Sequence, residues 1–390
     1  MKKILVVMTV IALLCMCLLF SACGETKDGV DVENVEVVNG EIIVTYTDGS
    51  TKSLGKVSDL LEEGEEQKKE EYTSDLDFYP IDNGEYAVSV GKANLLSSIS
   101  IPPTHEGKAV TAIVEDGFKS CKNLKSITIP ESIKTIGKGA FKSCSSLESV
   151  VLPRSVESIE DNTFVNCKAL KSIDMSWVKS IGSGAFRGCI GLTSVTVPSG
   201  VTKIEEAAFA DCTSLTSVTI PDGVTKIENS TFSNCTSLTS VTIPDGVTSL
   251  GSSAFASCRG LTSFVMPNSV TTAGYFLFSG CTGLTSVTLS DKLTLISECM
   301  FEACSSLTSI SIPAGVTSIG RNAFTGTGIL SIVIPKTVTI ISECAFESCN
   351  RQLTIYCEAE KKPANWSYLW NAMGESPEPT MYDVVWGYGQ

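Results

Sequence analysis

A phenylalanine returns along this chain at almost constant intervals: Phe118, Phe141, Phe164, Phe186, Phe209, Phe232, Phe255, Phe278, Phe301, Phe324 and Phe346, in steps of 23 with two steps of 22. A fixed period of this size marks a unit stacked many times, because one such unit cannot bury its apolar face alone. The unit beginning at Phe232 has apolar residues at Phe232, Cys235, Leu238, Val241, Ile243, Val247, Leu250 and Ala254. Thr239 to Ile243 alternates and is β-branched, which predicts a strand with Val241 and Ile243 inward and Ser240 and Thr242 outward. Pro244-Asp245-Gly246 ends it, since proline fixes φ and donates nothing to a ladder. A second extended leg runs from Val247 to Leu250, and Ser252 to Phe255 reads as a single helical or 3₁₀ turn. The expected fold is a β-rich solenoid of about eleven rungs of 22–23 residues, with parallel strands and short helical turns, capped at both ends.

This pattern resembles the leucine-rich repeats of the BspA-like type, found in bacterial surface proteins, over about Ala109 to Glu358. The resemblance implies a buried Cys at the bend and a surface protein that binds extracellular-matrix or plasma proteins of a host. Two units depart from it: after Phe164, Ser176-Trp177 replaces the proline turn, and after Phe324 the run Thr325-Gly326-Thr327-Gly328-Ile329 is one residue short and lacks its cysteine.

The N-terminus carries a different signal. Lys2 and Lys3 precede an apolar run from Ile4 to Phe20, followed by Ser21-Ala22-Cys23-Gly24. This is the layout of an export signal over 1–22, and it resembles a bacterial lipobox, which implies lipid attachment at Cys23. Residues 23–56 then hold that attachment site and a small β-hairpin module, with turns at Asn39-Gly40 and Asp48-Gly49. An acidic spacer follows over 57–75, an N-terminal cap over 76–108, the repeat solenoid over 109–358 and a C-terminal cap over 359–390. The C-terminal tryptophans are expected to cover the last rung rather than to form a sugar platform.

Charge and chemistry narrow the function. Lys and Arg number 29 against 43 Asp and Glu, a net charge of −14, so nucleic acid is not an expected partner. One histidine, His105, and no Cys-x-x-Cys motif argue against metal, redox or imidazole chemistry, and no cofactor is expected. Ten cysteines fall three residues after a repeat Phe and are expected as a column of reduced, buried thiols. Glu205 and Glu228 follow the same inward Ile in consecutive units and would approach as a glycosidase pair does. Proximity is automatic in a stack, however, and catalysis is not expected. Asp222, Asp245, Asn268 and Asp291 read as turn residues rather than as a calcium ladder.

The remaining regular feature is an outward column of serines on the strand sheet, flanked by a column rich in threonine. Its candidate ligand residues are Ser172, Ser194, Ser217, Thr219, Ser240, Thr242, Ser263, Ser286, Thr288 and Ser309. Solenoids bind through such continuous faces. The expected role is therefore a lipid-anchored, non-catalytic surface protein binding an extracellular protein ligand. The alternative is a structural or envelope protein that recognises a surface glycan.

Overall fold

The computed structural model describes residues 32–38, 41–56, 72–374 and 380–389. The chain divides into two units, Met1–Glu71 and Tyr72–Gln390. In the first, strands Val32–Val38, Glu41–Tyr46 and Thr51–Lys56 form an antiparallel sheet in chain order. Asp48 closes the second turn by accepting from the Ser50 backbone N–H at 2.8 Å, and the Ser50 hydroxyl, with that N–H second, lowers its carboxyl pKa. Asn39-Gly40, the acidic stretch 57–71, the export signal and Cys23 lie outside the described residues.

The second unit is a solenoid with three backbone ladders. The first is built from the predicted strands, such as Ser194–Thr196, Ser217–Thr219 and Ser240–Thr242, which pair in parallel and in register, Val195 on Val218 and Val218 on Val241. It extends past the phenylalanine-marked units at both ends, where Ser98–Ser100 pairs with Ser126–Thr128 and Asp383–Trp386 with Thr354–Cys357. The second ladder is made of two-residue legs, for example Lys226–Ile227, Ser249–Leu250 and Thr272–Ala273.

The third face differs from the expected helical turn. The repeat phenylalanine N–H does not bond within its own turn but reaches the next rung, as from Phe232 to the Ala254 carbonyl at 2.9 Å. Residues two before and two after each phenylalanine are left-handed: Ser230 and Asn234 at φ 55° and 59°, Ser253 and Ser257 at 56° and 59°, and likewise along the array. Alternating hand flattens the segment so that every second N–H faces the following rung. Among the described residues the only helical segments are two short 3₁₀ turns, Asp82–Gly84 and Ala93–Leu95.

The core is a set of columns. The eleven phenylalanines are fully buried and stack face to face with centroids 5.2–6.0 Å apart and planes within 4–16°, an offset geometry that adds to burial. The widest step, Phe255 to Phe278, is where Phe264 replaces the usual inward Val and wedges its ring against both. Trp370 closes the column edge-on to Phe346 at 6.0 Å, and Trp366 and Trp386 pack around it. Trp366 and Trp370 are buried, so neither offers a face to a sugar.

Each column cysteine except Cys121 hydrogen-bonds to the phenylalanine carbonyl one rung back, as Cys235 Sγ donates to the Phe209 carbonyl at 3.2 Å. That oxygen also accepts from the Cys212 N–H, so both of its lone pairs are used. Where the cysteine is missing, Thr327 fills the slot and its hydroxyl meets Cys349 Sγ at 3.2 Å. The thirteen described cysteines are all unpaired thiols. Burial pushes Cys167, Cys212 and Cys281 up to about 12 and Cys349 up to about 11.

The fold favours the neutral thiol, so this contribution is complete below the ordinary thiol value of 9.0 and is lost as pH rises through the folded value. The denaturation midpoint should therefore hold steady over about pH 6–8 and fall progressively above about pH 9. Native protein should react slowly with a thiol reagent, and denatured, unreduced protein should expose these thirteen thiols. A low count after denaturation would reveal disulfides and refute the reduced column.

Candidate functional site: the strand face and its hollows

The predicted ligand residues share one surface. Ser172, Ser194, Ser217, Ser240, Ser263, Ser286 and Ser309 are all exposed, as are Thr219, Thr242 and Thr288. Alternation places them there: Val195, Val218 and Phe264 between them are buried. One residue earlier in the chain, three of the six column threonines from Thr193 to Thr308 are tied into the fold. Thr216, Thr239 and Thr285 hydroxyls donate to the carbonyls of Thr193, Thr216 and Thr262 at 2.9, 3.2 and 2.9 Å. The serine hydroxyls from Ser172 to Ser309, and those of Thr219, Thr242 and Thr288, make no such bond to any described residue. Three threonine hydroxyls thus tie rungs together, whereas those of Thr193, Thr262 and Thr308 and the serine column are left to solvent or ligand.

Ser309 departs from expectation in one respect. It is exposed beside buried Ile310, but the segment forms no ladder strand. The serine step from Ser309 to Ser331 is 22 residues rather than 23, and Ser331–Ile334 pairs only forward, to Thr354–Cys357. Here the sheet opens into a hollow of about 390 Å³ lined by Ser309, Ser311, Ser331 and Val333. The other 22-residue serine step, Ser172 to Ser194, does the same. Ser172–Asp174 pairs only backward, to Ser149–Val151, and Ser194–Thr196 only forward, a break that the ladder also makes at two full steps, Ser126 to Ser149 and Ser240 to Ser263. A hollow of about 360 Å³ lies between them, lined by Ser172, Asp174, Ser194, Thr196 and Pro198 over an apolar floor of Met175, Leu192 and Val195. Trp177, which stands in the missing proline corner, is held by its indole N–H on the Pro153 carbonyl at 2.7 Å. The hollows were not foreseen from the sequence, although the two short steps that mark them were visible in it.

Three of the candidate oxygen ligands, Glu205, Asn268 and Asp291, have structural partners. Glu205 is ion-paired with Lys203 of its own leg. Asn268 and Asp291 bond to each other across one rung, Asp291 N–H to Asn268 Oδ1 at 2.9 Å. Among the described residues no three His, Cys, Asp or Glu side chains converge as a metal site. His105 packs between Phe78, stacked at 3.9 Å, and Tyr86, edge-on at 4.9 Å, in the first rungs.

Comparison with known proteins gives a consistent result. A family model described as a BspA-type leucine-rich repeat region in six copies matches residues 92–177, 111–239, 176–271 and 225–352, together about two-thirds of the chain. No curated protein matches. Among solved structures, a leucine-rich repeat protein from Bacteroides ovatus ATCC 8483 is 26% identical, covering 76% of this chain and 89% of its own, with a TM-score of 0.52. A leucine-rich cell surface protein from Faecalibacterium prausnitzii A2-165 is 24% identical over 78% of this chain and 97% of its own, with a TM-score of 0.46. The pneumococcal vaccine antigen PcpA is 15% identical over 91% and 99%, with a TM-score of 0.51, a likeness of fold.

Proposed function

The chain belongs to the BspA-type leucine-rich repeat family, and on that premise we propose that it is a non-catalytic surface protein that binds an extracellular protein ligand through the serine-lined strand face. Host matrix or plasma proteins are the ligand class that the family resemblance implies, and a lipid on Cys23 is the proposed anchor. The observation that carries the reading is the unengaged hydroxyl columns, continuous across rungs and free of protein partners. From Ser172 to Ser311 the two outward columns hold no Trp, Tyr or Arg anchor of the kind that concentrates binding energy, so affinity is spread over many rungs.

Exchanging Ser217 and Ser240 together for arginine should weaken binding to immobilised matrix or plasma proteins by about tenfold, through steric and desolvation cost. Glu205→Ala, away from the face, should leave it unchanged. Equal binding by the double variant would refute the face. Cys23→Ala separates anchoring from recognition: it should release the protein from membranes or block its processing, with ligand binding intact, and unchanged processing and retention would defeat the anchor. The two hollows favour a second reading, a surface glycan, since polar rims over apolar floors of this size suit small ligands. Glycan-array binding that is lost when Thr196 is enlarged to tryptophan, without binding to matrix proteins, would select it.

A further inference from the structure

The net charge conceals a local reversal. From Phe118 to Ser172 the chain carries nine Lys and Arg against five Asp and Glu, whereas the whole chain has 29 against 43. The excess is placed on the left-handed face rather than the strand face. Four residues after successive phenylalanines stand Lys122, Ser145 and Lys168, and between them lies a hollow of about 370 Å³ completed by Ser143 and Asn166. Neither Lys122 nor Lys168 makes an ion pair with a described residue, although nearby Lys119 and Lys171 pair with Asp116 and Glu148 at 2.7 and 3.1 Å. The side chains of Ser143, Ser145 and Asn166 likewise make no hydrogen bond to a described residue.

The later rungs act as an internal control. The same column holds Ile190, Thr213, Thr236, Arg259, Thr282 and Ser305, in rungs that stack through the same backbone bonds, as Asp211 N–H to the Ser233 carbonyl and Asn234 N–H to the Ala256 carbonyl. Stacking therefore does not require lysine at this position. We propose that this corner binds an acidic polysaccharide carrying about one carboxylate per disaccharide. Lys122 and Lys168 are two rungs apart, about 10 Å at the usual strand spacing, which matches charges separated by two linked sugar rings. Nucleic acid carries a charge every ~3.4 Å along a strand and stacks its bases on aromatic platforms, and this hollow contains none. The unengaged Ser143, Ser145 and Asn166 supply hydrogen bonds for sugar hydroxyls between the two cations.

This site is independent of the strand face, so its test is separable. Hyaluronan oligosaccharides should bind the full chain, with neutral dextran as the blank. Lys122→Gln combined with Lys168→Gln should weaken that binding by about tenfold. Lys134→Gln, whose lysine is engaged with Glu85 at 2.8 Å, should not, and neither should the Ser217 and Ser240 arginine pair. Thr213→Lys would set a lysine two rungs from Arg259 and should add a second, weaker site. The proposal is overturned if hyaluronan does not bind, or if the Lys122 and Lys168 pair leaves binding unchanged. It is also overturned if heparin binds and any lysine substitution weakens it equally, which is general charge attraction, or if an acidic protein rather than hyaluronan depends on these two lysines.

Discussion

Phe232→Ala should lower stability by about 3–5 kcal/mol and split the unfolding transition of the solenoid in two. The ring is fully buried and lies between Phe209 and Phe255 at 5.7 and 5.6 Å. Its backbone bonds do not depend on it: Phe232 N–H still reaches Ala254, and its carbonyl still accepts from Cys235 N–H and Cys258 Sγ. Truncation thus removes packing and leaves the ladder in place, so the loss is a cavity that neighbouring rungs cannot close. In a one-dimensional stack each rung is stabilised only by its neighbours, and weakening one interface uncouples the rungs on either side. Urea titration followed by circular dichroism should show two steps where the parent shows one. Phe276→Ala is the matched control: that phenylalanine is 41% exposed with φ at 57°, and its loss should change stability by less than about 0.5 kcal/mol. A single, unshifted transition for Phe232→Ala would mean that the phenylalanine column does not couple the rungs.

The same contrast between Phe232 and Phe276 shows what was legible in the sequence. Inward columns repeat their chemistry at a fixed period, because a stack places each position beside its own copies, so the phenylalanine, cysteine and strand residues could be read directly. The left-handed face could not be read as easily, since Ser252 to Phe255 has the spacing of a helical turn. The competing interaction is the hydrogen bond to the next rung, which no single unit contains. Its trace was nevertheless present: Asn, Asp, Gly and Ser gather two residues before and after the phenylalanines, as in Asn162 and Asn166 or Ser230 and Asn234, and these residue types tolerate positive φ best. Of the site, the exposed serine column was legible from alternation. The distinction between free serine hydroxyls and engaged threonine hydroxyls was not, because both are polar and outward and only the carbonyl of the neighbouring rung separates them. The lysine corner is hidden in the sequence because a net charge of −14 averages over faces that the fold keeps apart.

Deleting one residue should have opposite consequences at a strand and at a corner. Within Ser217–Thr219, Val218 is buried between exposed neighbours. Removing it moves Thr219 into the inward seat and turns Ile220 outward, since a one-residue slip exchanges the two sides of a strand. The lost burial of an aliphatic side chain and an inward hydroxyl without a partner together cost about 3–5 kcal/mol. Asp222 lies at the exposed corner after Pro221, and its removal should cost about 1 kcal/mol. The chain already contains this experiment. Met175-Ser176-Trp177-Val178 is the corner of Ile220-Pro221-Asp222-Gly223-Val224 with one residue fewer, and the second short unit loses its residue at the corner after Thr327. In neither case do the flanking segments lose their alternation: Ile173 is half-buried between exposed neighbours, and Val195, Ile310 and Ile332 are buried. Deletion of Asp222 should in addition open a third hollow, between Ser217 and Ser240, and so weaken a ligand that spans those rungs. Denaturation midpoints for the two deletions decide the matter: equal losses would show that corners are as constrained as strands, and the two 22-residue steps would then need an explanation other than tolerance at the corner.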